Sequence, residues 1–329
     1  ILSKIMRIKS LIKIFIAAAS IYLLSKYDFL DFSYLLKLDI LLSIKIIGTI
    51  IIIIFLGSLK WHYLIKNQNQ DITYKATIES YYLGYALNYI LFGIAGDVIK
   101  TIYLLKNRDN KVGISMSVVI DRLIGLFSMF ILILICLPKI FFIDESLFRF
   151  KILIFENLLI YYSLLFFTLI LIFILFRKIL NSRRINKAIL LYFYKYKNKT
   201  FRFLAKIIKV LFSYRKSTKY LLYNLIIAIA LQIIIGYSIF LICSYILQDD
   251  LSYLTNLISS LVVQIVSVIP LSPGNIGVGE AAFSQVMYLL NNNILLQYAT
   301  VYFVFRIFNM ICSVPGVIIY YLVIKKRET

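Results

Sequence analysis

The chain has 329 residues, 62% of them hydrophobic, and sets 36 Lys and Arg against 15 Asp and Glu for a net charge of +21. Its apolar runs exceed the roughly 18–20 residues that cross a bilayer, which excludes a water-soluble domain and reads as a polytopic helical membrane protein. A single histidine, His62, excludes a histidine-rich metal centre and a Ser-His-Asp triad, and three cysteines, each inside an apolar run, outline no disulfide framework.

In chain order, the first apolar segment is 11–25. It carries Lys4, Arg7, Lys9 and Lys13 at its start, which places the N-terminus on the cytoplasmic side. No small-residue cleavage site precedes the polar stretch 26–39, so the segment reads as a retained span. Residues 40–59 return inward, with Lys45 near the outer end, where a lysine reaches the interface. Lys60, Lys66 and Lys75 follow.

The segment 80–95 differs, because it ends at Gly93-Ile94-Ala95-Gly96-Asp97 and is followed by a short apolar piece, 98–105, and by Lys106, Arg108 and Lys111. Basic residues flank both ends, and at ~1.5 Å per residue the first piece covers little more than two-thirds of a bilayer core. A hairpin entering from the cytoplasmic face, with Gly93 and Gly96 at its tip, accounts for this. Residues 114–137 then cross outward, and 152–176 return.

The stretch 177–219 holds fourteen of the 36 basic residues and no acid. The positive-inside rule expects this of a cytoplasmic loop. The interleaved Tyr192-Phe193-Tyr194-Lys195-Tyr196-Lys197 suits an interfacial helix near anionic headgroups, and the distribution argues against nucleic-acid binding. It is also a surface on which a soluble partner could dock.

Residues 221–247 cross outward. The last span, 299–324, ends in Lys325-Lys326-Arg327 and should finish inside, so residues 251–297 must begin and end outside. Their centre is Pro270-Leu271-Ser272-Pro273-Gly274-Asn275-Ile276-Gly277-Val278-Gly279-Glu280. Each proline removes a backbone donor and breaks the helix. At membrane depth such backbone is tolerated only when buried in protein or lining a cavity. A second hairpin follows, entering from the outside, with Pro270, Pro273, Gly274, Gly277 and Gly279 shaping its tip. The expected fold is all-α: about six full transmembrane helices plus two re-entrant hairpins, in one integral membrane domain over 1–329 with both termini cytoplasmic.

The two hairpins repeat one order of features. Gly96-Asp97 is followed by a span bearing Arg122, and Gly279-Glu280 by a span bearing Arg306 at nearly the same separation. An inverted repeat with broken helices meeting near the midplane is a recurrent transporter plan. A charge at that depth costs several kcal/mol, roughly 2.5–3.5 on insertion scales, and marks function by default. The arginine fork matches phosphate, so Arg122 and Arg306 are candidates to hold a headgroup phosphate. Asp97 and Glu280 would orient the arginines or attract a cationic headgroup. Asn88, Ser272 and Asn275 are further candidate headgroup contacts. Other readings stay open: Asp121-Arg122 as interfacial charge, Glu280–Arg306 as a structural pair pinning the hairpin to the last span, and Asn88 with Gln264 as partners of freed backbone groups. Pro315-Gly316 reads as a kink in the last span.

Asn88, Phe92-Gly93-Ile94-Ala95-Gly96-Asp97, Gly113-Ile114-Ser115 and Asp121-Arg122-Leu123-Ile124-Gly125-Leu126, with Pro270, Ser272 to Glu280, Arg306 and Pro315-Gly316, give the chain a resemblance to the lysylphosphatidylglycerol synthase transmembrane region family. The resemblance covers nearly the whole chain and is most specific at the Pro-Gly-x-x-Gly-x-x-Glu stretch. The first half lacks the proline and arginine that members often carry there. The resemblance implies translocation of a membrane lipid or a lipid-linked sugar at the plasma membrane. In the namesake enzymes a separate soluble domain aminoacylates phosphatidylglycerol, and the short tail to Thr329 leads us to expect the membrane part alone. The expected function is therefore a lipid translocase without catalytic residues, metal or cofactor. The alternatives are an accessory subunit docking a partner through 177–219, or a glycosyltransferase-type enzyme using Asp97 or Glu280 as base, against which the lack of an Asp-x-Asp motif counts.

Overall fold

Backbone N–H and C=O groups in a bilayer have no water to bond, so long runs of Ile, Leu, Val and Phe coil into helices that satisfy them internally. The computed structural model describes residues 18–27, 29–68, 72–90, 95–105, 111–141, 210, 214, 218–247, 251–269, 271–291 and 297–328. Regular structure among them is helical throughout. A helical stretch over 18–26 is followed by α1 (Ser33–Lys37), α2 (Ile40–Lys66), α3 (Tyr74–Ile90), α4 (Ala95–Leu105) and α5 (Lys111–Phe141). Then come α6 (Thr218–Leu247), α7 (Tyr253–Val266), a 3-10 turn (Pro273–Asn275), α8 (Val278–Asn291) and α9 (Tyr298–Glu328).

Four described segments are long and apolar enough to cross a membrane: Ile40–Lys66, Lys111–Cys136, Lys219–Leu247 and Tyr298–Leu322. Ile40 and Ile135 are 77% and 67% exposed, a surface that lipid covers at little cost and water does not. The chain is thus an all-α, multi-pass membrane protein. The expected span 152–176, most of the basic stretch 177–219, Gly93 and Pro270 lie outside the described residues, and the expected span 11–25 is described from residue 18 onward, where it is helical.

The helices overrun their expected ends. α2 continues to Lys66, because Trp61, Leu64 and Ile65 keep an apolar face that is fully buried. α3 starts at Tyr74 rather than at residue 80. Polar residues near an interface do not stop a helix whose inner face still packs.

The chain divides into two compact units, one of Ile1–His62, Ile72–Asn107 and Ile227–Thr329, the other of Tyr63–Asp71 and Arg108–Ile226. In the first, a stripe of Leu42, Ile46, Ile50 and Ile54 along α2 packs in one core with Ile239, Ile242 and Ile246 of α6, Val263 of α7, Phe283 and Met287 of α8, and Val301, Val304 and Phe308 of α9. In the second, Leu64, Ile120 and Tyr214 cluster, and the Tyr214 hydroxyl donates to the Leu64 carbonyl at 3.2 Å.

Within the first unit α3 and α4 form an antiparallel hairpin. Gly84 meets Gly96, the Ser80 hydroxyl donates to the Lys100 carbonyl at 2.5 Å, and the Tyr103 hydroxyl donates to Glu79 Oε2 at 3.3 Å. A Cβ at Gly96 would overlap the Gly84 carbonyl oxygen, so the missing side chain is what lets the two backbones touch. α9 crosses the other side of α3, with Gly316 directly against the Tyr82 carbonyl. α7 and α8 pack as a second hairpin, and the Ser252 hydroxyl caps α7 by accepting from the Thr255 N–H at 3.2 Å. The four hairpin helices have 17, 11, 14 and 14 residues. They extend only about 16–26 Å, short of a ~30 Å hydrocarbon core.

Candidate functional site

The tip of the second hairpin is built from two consecutive residues in the left-handed region, Gly274 (φ 54°) and Asn275 (φ 57°). Glycine adopts it freely and asparagine is among the few others that do so at low cost. The Ser272 hydroxyl donates to the Ile276 carbonyl at 2.8 Å and the Asn275 N–H to the Ser272 carbonyl at 3.1 Å, which closes the turn. Ser272 is 1% exposed and so serves the tip itself. α8 then begins, and the Gly277 N–H donates to Glu280 Oε2 at 2.7 Å. A carboxylate in a first turn that reaches back to its own helix start satisfies an orphan donor and suits the helix dipole.

Arg306 reaches this tip from α9. Its Nε donates to Glu280 Oε1 at 2.5 Å, and its Nη2 to Glu280 Oε2 at 3.2 Å and to the Asn275 carbonyl at 2.9 Å. Its Nη1 donates to the Gly274 carbonyl. Glu280 is fully buried and Arg306 is 5% exposed. One turn earlier on α9, the Tyr302 ring lies 5.6 Å from the guanidinium and stacks on Phe283. Gly279 makes room, since a Cβ there would stand 2.6 Å from Nη2. The fork is thus engaged by one carboxylate and two tip carbonyls.

The same tip touches the first hairpin. A Cβ at Gly274 would lie 3.2 Å from the Tyr89 carbonyl oxygen, at the end of α3. The Tyr89 hydroxyl donates to the Tyr85 hydroxyl at 3.5 Å, Tyr85 donates to Asn309 Oδ1, and Asn309 Nδ2 donates to the Phe305 carbonyl at 2.6 Å. On either side of the contact, the Oδ1 atoms of Asn88 and Asn275 are buried without a hydrogen-bond partner among the described residues. An unmade bond on a buried acceptor costs about 1–3 kcal/mol, so these atoms favour any donor that reaches them.

Asp97 lies in the first turn of α4, as Glu280 does in that of α8. Its Oδ1 is 2.7 Å from Lys100 Nζ, and both side chains are buried. The Lys100 ammonium sits 4.7 Å from the Trp61 ring of α2 and 5.2 Å from the Tyr81 ring of α3. Gly96, the residue before Asp97, packs against Asn88. Lys100 did not emerge from the sequence, although a lysine three residues after an acid within the apolar piece 98–105 was the signal for it. Arg122 is in the second unit, exposed on α5, beside a half-buried Asp121. The cluster around Glu280 and Arg306 is built within the first unit.

The two hairpins therefore treat their acids differently. Glu280 pairs with an arginine of the following span, whereas Asp97 pairs with a lysine of its own helix.

Residues 10–316 match the family described as lysylphosphatidylglycerol synthase TM region. No curated protein and no solved structure matches the chain.

Proposed function

The chain belongs to the lysylphosphatidylglycerol synthase transmembrane region family, and from that premise we propose that it moves a lipid headgroup between leaflets at the junction of its two hairpins. The substrate is a phospholipid or a polyprenyl-phosphate-linked sugar, whose tails stay in lipid while the headgroup passes between the hairpins. In this reading the hairpins re-enter from opposite faces of the plasma membrane, as an inverted repeat, and both termini are cytoplasmic.

The observation that carries the proposal is the contact of Gly274 with the end of α3, flanked by the unpartnered acceptors of Asn88 and Asn275 and clamped by a buried ion pair. Half-length hairpins meet at mid-depth, where a polar headgroup has its highest barrier in plain lipid. Asn88 and Asn275 would accept from headgroup hydroxyls or amines. Arg306 would take a phosphate oxygen in exchange for the Gly274 and Asn275 carbonyls, and Glu280 would hold the guanidinium in place meanwhile. The basic stretch 177–219 would face anionic headgroups or a soluble partner on the cytoplasmic side.

The test is headgroup movement in vesicles containing the full chain and a headgroup-labelled phospholipid. Arg306→Ala and Glu280→Gln abolish movement and leave membrane insertion intact. Asn88→Ala combined with Asn275→Gly, which keeps the left-handed backbone, slows it by about tenfold, the scale of one net hydrogen bond. Wild-type rates in Arg306→Ala and Glu280→Gln defeat the proposal.

A further inference from the structure

We propose that the cavity between residues 25–32 and the start of α9 is a binding site for a small primary ammonium group, held by Asp31, Gln297 and Ser25. It lies within the first unit, shares no residue with the Glu280–Arg306 cluster, and does not depend on lipid movement.

The cavity has a volume of about 340 Å³ and, among the described residues, is lined by Ser25, Leu30, Asp31, Phe32 and Gln297. Its loop wall is fastened at both ends. The Leu24 carbonyl, near the end of the first helical stretch, accepts from the Phe29 N–H at 2.9 Å and from the Leu30 N–H at 3.2 Å. The Asp31 N–H donates to Thr300 Oγ1 at 2.9 Å, and the Phe32 ring meets the Phe303 ring edge-on at 5.3 Å. Thr300 and Phe303 belong to α9, the helix that Gln297 leads into. In the topology read from charge, residues 26–39 and 251–297 face outward, so the amine would come from the outer solution or the outer leaflet.

The polar groups of this cavity are rich in acceptor oxygen. Asp31 Oδ1 accepts from the Ser33 N–H at 2.8 Å, and Oδ2 accepts from the Ser33 hydroxyl at 2.9 Å. The Ser33 N–H, then its hydroxyl, and last the charge of Lys37 hold the Asp31 carboxyl below its ordinary range, so it is ionised at neutral pH. An ionised carboxylate offers about four acceptor positions, and Ser33 takes two of them. Asp31 forms no ion pair among the described residues, and Lys37 lies 5.6 Å from the Tyr34 ring. Gln297 Oε1 is buried without a hydrogen-bond partner among the described residues, which favours any donor that reaches it. Ser25 adds a hydroxyl. An ammonium has three donors, one charge and no acceptor, which matches one carboxylate and two neutral oxygens. A divalent cation would keep a net positive charge beside a single carboxylate, and Ca²⁺ takes about six to eight oxygen ligands. Leu30 and Phe32 supply an apolar wall for the short carbon chain that bears the amine, and the volume suits a small ligand.

The probe is ethanolamine, titrated against the full chain in phosphatidylcholine nanodiscs, whose headgroup has no N–H to donate, and followed by saturation-transfer NMR. The wild type should show saturable binding, and ethylene glycol, of similar size without the charge, should show none. Asp31→Asn keeps an oxygen for the Ser33 N–H and removes the charge, so it should weaken binding by about tenfold or more, the scale of a charge-assisted bond. Gln297→Leu alters the opposite wall without touching the loop and should weaken binding severalfold, so the site is still read where Asp31→Asn disturbs the loop. Nanodiscs containing phosphatidylethanolamine separate the two sources of the ammonium: ethanolamine binding lost there gives the site to a lipid headgroup, and binding retained gives it to a soluble amine. No saturable binding in the wild type, unchanged binding in either variant, equal binding of ethylene glycol, or displacement of ethanolamine by equimolar Ca²⁺ overturns the proposal.

Discussion

Glu280 and Arg306 illustrate how much one pair of residues depends on its surroundings. Neither oxygen of Glu280 faces lipid: one takes Arg306 Nε, the other takes Nη2 and the Gly277 N–H. Removing one partner leaves the other charged and buried, which costs about 3–5 kcal/mol, whereas removing both exchanges the pair for packing and costs far less. Arg306→Met and Glu280→Gln should each lower unfolding stability in detergent by about 3–5 kcal/mol, and the double variant should recover most of that loss. Strictly additive losses would mean that the two residues do not act as a pair. The residues of the pair were both visible in the sequence, as charges at membrane depth. That they face each other was one of two open readings, because spacing along the chain does not say which way a side chain on a distant helix points.

At the scale of elements, the hairpins are defined by where backbone comes close to backbone. The tip of the second needs left-handed geometry at Gly274 and Asn275 and leaves little space between Gly274 and Tyr89. Gly274→Ala should destabilise the protein by about 1–2 kcal/mol, the cost of a side chain in the left-handed region. Asn275→Gly should stay within about 1 kcal/mol of the wild type, because glycine accepts that backbone and the Asn275 carbonyl still receives Arg306. Thermal unfolding of the two variants side by side checks the contrast, and equal losses would remove the tip geometry as the cause. The breaks themselves were legible as Pro and Gly in apolar sequence. Their limits were less so: the second piece of the first hairpin, read from Val98, starts at Ala95, so Gly96 and Asp97 belong to the first turn of α4. Gly96 packs on Gly84 there, and nothing local in the sequence records that contact.

For the molecule as a whole, the topology argued from charge makes a simple demand. Both ends of the second hairpin should lie on one side of the membrane, and both ends of the first on the other. With Cys136, Cys243 and Cys312 replaced, single cysteines at Ser252 and Gln297 should react with an impermeant reagent added outside, and cysteines at Thr73 and Lys111 only from inside. Labelling of Ser252 and Gln297 from opposite sides would make that segment a full crossing and end the two-hairpin plan. The charge rule acts on whole loops and is read from composition, so the sequence states a demand at this scale that labelling can check.

By itself the sequence determined that the chain is a helical, multi-pass membrane protein with helix breakers in two of its apolar stretches. Hydrophobic length, proline and glycine act locally, through hydrogen bonds each segment must satisfy alone in lipid. The family followed from short motifs that survive as strings of residues. Only the tertiary structure decided that Arg306 grips the hairpin tip, that Gly274 rests on the end of α3, and that Lys100 is buried between Trp61 and Tyr81 beside Asp97. Those contacts join residues from separate helices, and their partners are chosen by packing of whole elements against one another, a choice that no local pattern encodes.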